Sequence, residues 1–132
     1  MLIKNKNLED MDLSRTKIDG FNFEKTQRSL KDMDLSRNKI RSDGVDALMK
    51  SLWSNRALTA LNLRLNAVCD KGGISVGAGG ISVGAALSHN STLCTLDLMG
   101  CDLGDSGCVP IFNALGAAKH KALMSDNVAT RR

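Results

Sequence analysis

Cys94, Cys101 and Cys108 recur every seven residues, and thiols at regular spacing are a first place to look for a metal or redox centre. With Cys69 they make four cysteines, but no Cys-x-x-Cys occurs. Neither His89 nor His120 has a Cys, Asp or Glu at metal-ligand or triad spacing. The expectation is four separate thiols, no disulfide, no metal and no catalytic constellation. Glycine offers a second chemistry, since six of the twelve glycines fall between Gly72 and Gly84. That stretch contains neither G-x-x-x-x-G-K-[S/T] nor G-x-G-x-x-G, so it lacks the pattern of a phosphate cradle and no cofactor is expected. The remaining groups are carboxylates, arranged as Asp10-Met11-Asp12 and Asp32-Met33-Asp34, with Asp97 further along. Whether these acids act together depends on the elements that carry them.

Those elements are internally repeated. Leu8-x-x-Met11-x-Leu13-x-x-Thr16-x-Ile18 aligns with Leu30-x-x-Met33-x-Leu35-x-x-Asn38-x-Ile40, Leu58-x-x-Leu61-x-Leu63-x-x-Asn66-x-Val68 and Leu93-x-x-Leu96-x-Leu98-x-x-Cys101-x-Leu103. Positions four and six alternate with polar neighbours, as a short strand with one buried face requires. The pattern L-x-x-L-x-L-x-x-(N/C)-x-L resembles the leucine-rich repeat. That resemblance implies an α/β solenoid, a curved right-handed β-α superhelix with a parallel sheet on its concave face and helices on its convex face. It also implies that Asn38, Asn66 and Cys101, with Thr16 as a substitute, form a buried ladder that hydrogen-bonds neighbouring backbone.

Apolar residues four apart after Gly44 (Leu48, Leu52) and after Gly107 (Ile111, Leu115) predict helices in the variable halves. This arrangement resembles the ribonuclease-inhibitor-like class, whose units run about 28 residues. The spacing from Leu30 to Leu58 is 28, while Leu8 to Leu30 is 22 and leaves room for a short turn or partial helix at Gly20-Phe21-Asn22-Phe23. Leu58 to Leu93 is 35, because Gly72–Ala78 is repeated unchanged as Gly79–Ala85. Each helical glycine costs about 1 kcal/mol relative to alanine, so a bulged or frayed loop is expected there. The whole chain, 1–132, reads as one domain with repeats at about 8–29, 30–57, 58–92 and 93–118 and a degenerate fifth repeat or cap at 119–132. No terminal cap is evident, and the expectation is that a partner, a second copy or a larger assembly covers the open ends.

The repeat register also sorts the exposed face. Position three reads Asp10, Asp32, Ala60, Thr95, and position five reads Asp12, Asp34, Asn62, Asp97. Carboxylates on neighbouring strands about 4.8 Å apart repel by on the order of 1 kcal/mol even in water. Arg15 and Arg37 at position eight are expected to balance them as a charge ladder, with a basic partner surface as the sharper alternative. Beside this acidic half, Arg64, Leu65 and Met99 add a more apolar half of the same protein-binding face.

Composition agrees with an ordinary folded protein: 42% hydrophobic, 24% charged and net +4. The basic groups gather in residues 1–64 and 119–132, but tyrosine is absent and only three Phe and one Trp occur, so nucleic acid is not an expected partner. No apolar run is long enough for a membrane helix or a signal peptide, and a cytoplasmic, intracellular location is expected. The resemblance therefore implies a non-catalytic protein-interaction module or scaffold working through its concave face. Alternatives in the same family are a regulator of the GTPase-activator type and a structural subunit of a cytoskeletal or ciliary assembly.

Overall fold

The computed structural model describes residues 9–16, 29–68 and 83–117. Among these residues four three-residue strands form one parallel sheet in the order β1-β2-β3-β4: β1 Asp10–Asp12, β2 Asp32–Asp34, β3 Ala60–Asn62 and β4 Thr95–Asp97. Pairing is in repeat register, Asp10↔Asp32↔Ala60↔Thr95 and Asp12↔Asp34↔Asn62↔Asp97. A slip of one residue would expose the buried central residues Met33, Leu61 and Leu96, so burial fixes the register. Position six continues the same core through Leu35, Leu63 and Leu98.

Strands this short gain few hydrogen bonds, and the pairing is extended into the turn that follows each one. The position-six N–H donates to the position-five carbonyl of the next repeat: Leu13 to Asp34 (2.8 Å), Leu35 to Asn62 (2.8 Å) and Leu63 to Asp97 (2.9 Å). The position-eight N–H does the same to position seven: Arg15 to Ser36, Arg37 to Arg64 and Leu65 to Met99. This second pair of contacts needs a left-handed residue at position eight, where φ is +58° at Arg15, +55° at Arg37, +57° at Leu65 and +69° at Gly100.

Among the described residues three helices return the chain behind the sheet: α1 Ser42–Ser54, α2 Val83–His89 and α3 Asp105–Ala117. In α1 the buried face is Val45, Leu48, Met49 and Leu52, at helical spacing. The middle helix packs against both others. Gly84 is what lets α2 reach α3, because a Cβ there would lie 2.6 Å from the carbonyl oxygen of Pro110. Val83–Ala85, the end of the second copy of the duplication, is therefore the first turn of a helix and not a frayed loop; the loop expected over 72–82 lies outside the described residues. So do the turn expected at 20–23, Cys69, His120 and the fifth repeat expected at 119–132. No helix among the described residues is long and apolar enough to cross a membrane.

Candidate functional site: an acidic trough on the sheet

The face of the sheet turned away from the helices carries a trough of about 420 Å³. Asp10, Asp12, Asp32, Asp34 and Asp97 line it with Asn62, Ala60 and Thr95, over a floor that includes Met33 and Leu61. The two-residue period of the strands dictates this gathering, since positions three and five project to the side opposite position four. Five of the carboxylates that the repeat register assigns to one surface are thus brought together.

What compensates their charge differs from expectation. Each position-five side chain accepts the backbone N–H two residues on: Asp12 from Ser14 (2.8 Å), Asp34 from Ser36 (2.7 Å), Asn62 from Arg64 (3.0 Å) and Asp97 from Met99 (2.8 Å). These turns satisfy one oxygen of each side chain and fix its direction. The Ser14 N–H holds the Asp12 carboxyl below the usual carboxylate range. Asn62 also donates its amide to the second oxygen of Asp34 (3.0 Å), which ties β3 to β2 across the trough. Arg15 and Arg37 do not form the expected ladder: they lie in the turns beyond the strands, and among the described residues the ion pair is Lys31–Glu9 (3.0 Å) at the opposite rim.

Position three behaves differently. Asp10 and Asp32 sit side by side without a backbone N–H of this kind, and Asp10 is raised above the usual carboxylate value, chiefly by its hydrogen bond to the Asp32 carboxyl, then by partial desolvation and the Asp32 charge. Lys31 opposes that shift. The trough is consequently an acceptor surface with two kinds of carboxylate: oriented and held ionised at Asp12, crowded and inclined to keep a proton at Asp10.

Arg64, Leu65 and Met99 do not line the trough. They occupy the turns at the strand ends, where Leu65 is 39% exposed and packs against Gly100, whose missing Cβ would stand 2.6 Å from the Leu65 Cδ2. They form an apolar and basic rim beside the acids.

Behind the sheet the position-nine side chains Asn38, Asn66 and Cys101 are buried and spent on backbone, while Thr16 in the first repeat is exposed. Asn38 donates to the carbonyls of Leu13 (2.9 Å) and Leu35 (2.9 Å), and Asn66 to those of Leu35 (2.9 Å) and Leu63 (2.8 Å), while Asn66 also accepts from the Ile40 N–H (3.1 Å). Cys101 takes the same place with a single thiol contact to the Leu63 carbonyl (3.1 Å), and Thr16 with a hydroxyl to Leu13 (2.6 Å). Burial pushes the Cys101 thiol up to about 11, so it is an inert member of the scaffold.

A second set of amides, Asn90 buried and Asn55 half-buried, carries no signature in the repeat pattern itself. Asn90 donates to the carbonyls of Leu52 (2.7 Å) and Asn55 (2.9 Å) and accepts from the Thr92 and Leu93 N–H groups, and Asn55 accepts from Ala57 and Leu58. An Asn three residues before the first Leu of the third and fourth repeats was the available signal. His89 stacks on Trp53 with ring centroids 4.0 Å apart, joining the ends of α2 and α1. Cys94 is exposed before β4, and Cys108 is buried on α3, far in role from Cys101 in the ladder. Among the described residues no group of three or more His, Cys, Asp or Glu has the geometry to hold a metal ion, the trough aspartates included.

A family model described as Leucine Rich repeat matches residues 26–49, 54–77 and 89–112, together more than half of the chain. The chain belongs to the leucine-rich repeat family. Each match begins shortly before a strand, so β2, β3 and β4 are the strands of three successive leucine-rich repeats, and β1 adds a fourth strand in the same register. Among curated proteins none matches the chain. Leucine-rich repeats suggest a protein-interaction module, and the trough gathers five aspartates on one face of this one.

Proposed function

We propose that this protein is a non-catalytic interaction module that docks a protein partner on the concave face of its sheet, with lysine or arginine side chains of the partner entering the acidic trough. The observation that carries this reading is the convergence of five aspartates on one trough with no arginine or lysine ion-paired to them among the described residues. One oxygen of Asp12, Asp34 and Asp97 is already used by a backbone N–H, and the second oxygen of Asp34 is held by Asn62, so these carboxylates are oriented before a partner arrives and accept from it at little further ordering cost. Charge-assisted hydrogen bonds from a guanidinium or ammonium group would relieve the mutual repulsion of the acids. Leu65 and Met99 on the rim supply the apolar contact that such an interface also needs.

The unit lengths and alternating strand and helix support placement in the ribonuclease-inhibitor-like class, and the same reading makes the protein a cytoplasmic scaffold. Affinity capture from a cell extract tests it, with the natural chain and an Asp12→Lys/Asp34→Lys variant compared after circular dichroism has established that both fold. Loss of a specific protein with the variant alone supports the trough as the docking site. Equal capture by both moves the interface to the helices or the strand ends.

A further inference from the structure

The turns that follow β1 and β2 carry a row of cations beside the trough. Arg15 and Arg37 hold position eight of neighbouring repeats, and the backbone bonds from Arg15 to Ser36 and from Arg37 to Arg64 set them one strand spacing apart, about 4.8 Å. Lys39 and Arg41 follow Arg37 on the way into α1. All four are exposed, and neither they nor Arg64 is ion-paired among the described residues. Arg64 adds a guanidinium whose Nε is buried without an acceptor. The same two repeats hold Asp10, Asp12, Asp32 and Asp34, so a basic edge lies next to an acidic face, the first on the turns and the second on the strands. The edge is confined to this half of the molecule: residues 83–117 contain no Lys or Arg, and Asp102 stands where the second repeat has Lys39.

We propose that this basic edge is a docking surface for a second copy of the chain, whose trough aspartates receive Arg15, Arg37, Lys39 and Arg41. The inference rests on the reading of the trough as a site for cationic side chains, and it names their source. An acidic patch beside a basic one is self-complementary under a two-fold rotation: the edge of one copy meets the trough of the other, and the reverse contact forms at the same time. Such an interface closes as a dimer and makes every contact twice, which is how exposed ion pairs of little individual worth add to a measurable affinity. Leu65 continues the position-eight row beside Arg37 and is 39% exposed, so it supplies an apolar contact on the same edge. The trough, about 420 Å³ and open on the sheet, has room for side chains carried on a turn.

Sedimentation velocity of the full chain over a concentration series tests this. The expected result is a mass that climbs from monomer toward dimer, with a dissociation constant that rises at least tenfold between about 0.05 and 0.3 M salt. Arg37→Glu/Lys39→Glu and Asp12→Lys/Asp34→Lys should each lose at least tenfold in self-association. An equimolar mixture of the two should associate one to one, because each keeps the surface that the other lacks, and that recovery also shows that neither variant failed through misfolding. A natural chain that stays monomeric at low salt would overturn the proposal, as would association that salt and both variants leave unchanged. A monomeric chain whose basic edge instead binds a poly-glutamate peptide, duplex DNA or anionic vesicles would overturn it in favour of that partner. If the monomeric chain still binds a lysine- and arginine-rich peptide through Asp12 and Asp34, the second copy is rejected and the trough reading stands; if it binds neither, both fall.

Discussion

Position five of the repeat shows how one residue type serves two ends. Asp12, Asp34 and Asp97 read in the sequence as surface charge, and their place on the exposed face was legible because the strand period is two. Their bond to the N–H two residues on was not, since neither Asp-Leu-Ser at Asp12 and Asp34 nor Asp-Leu-Met at Asp97 carries a signal that separates a turn acceptor from a solvated acid. The expected arginine ladder failed for a related reason: the repeat bends at position eight, and only Gly100 among Arg15, Arg37, Leu65 and Gly100 is a residue type that announces a left-handed conformation. The ladder position was legible because a polar side chain recurs there inside an apolar pattern. Cys101 is its weakest member, with one thiol contact where Asn66 makes two amide donations. Its raised value gives a pH dependence with a definite sign. Below about 9 the thiol is protonated in both states and contributes nothing; above it the unfolded thiol ionises first, and stability falls until the folded thiol ionises near 11. Denaturant unfolding at pH 8 and pH 10.5 should show the natural chain losing about 2 kcal/mol more than Cys101→Asn, and equal losses would remove the buried thiol from the account.

At the scale of elements, the three-residue strands and the helices after Gly44 and Gly107 follow from apolar spacing, because the spaced residues Leu48, Leu52 and Ile111 end in the core. The middle helix was hidden. Its first turn, Val83-Gly84-Ala85, belongs to a glycine-rich duplication whose propensity argues against a helix, and close packing on α3 overrides that local preference. Gly84→Ala separates the two effects. Propensity alone would stabilise α2 by up to about 1 kcal/mol. The new Cβ, however, meets the Pro110 carbonyl at 2.6 Å, a backbone contact that can be relieved only by moving one helix from the other. A net loss of about 1–2 kcal/mol in thermal or denaturant unfolding is expected. A gain in stability would mean that α2 and α3 are not held this close.

For the molecule as a whole, the fold needs each repeat to satisfy its neighbour's backbone, and the side chains that do so face away from the trough. Asn38, Asn66 and Asn90 are committed to carbonyls behind or below the sheet, leaving the concave surface free to vary. That division explains why the architecture could be read from the repeat while the partner's chemistry emerges only when the columns are assembled: Asp10 and Asp32, or Asp12 and Asp34, are 22 residues apart in the chain and adjacent in the sheet. It also gives the trough a pH response. Asp10, raised by its neighbour, takes up a proton before Asp12, which the Ser14 N–H keeps ionised, so binding of a cationic segment should weaken as pH falls through the carboxylate range, beginning at Asp10. The most direct measurement is an NMR titration of the full chain with a lysine- and arginine-rich peptide, run beside an acidic peptide of equal length. The account predicts saturable shifts centred on residues 10, 12, 32, 34 and 97, weakened by added salt and lost in Asp12→Lys/Asp34→Lys. Shifts confined to the helices, or a response that the double substitution leaves intact, would contradict it.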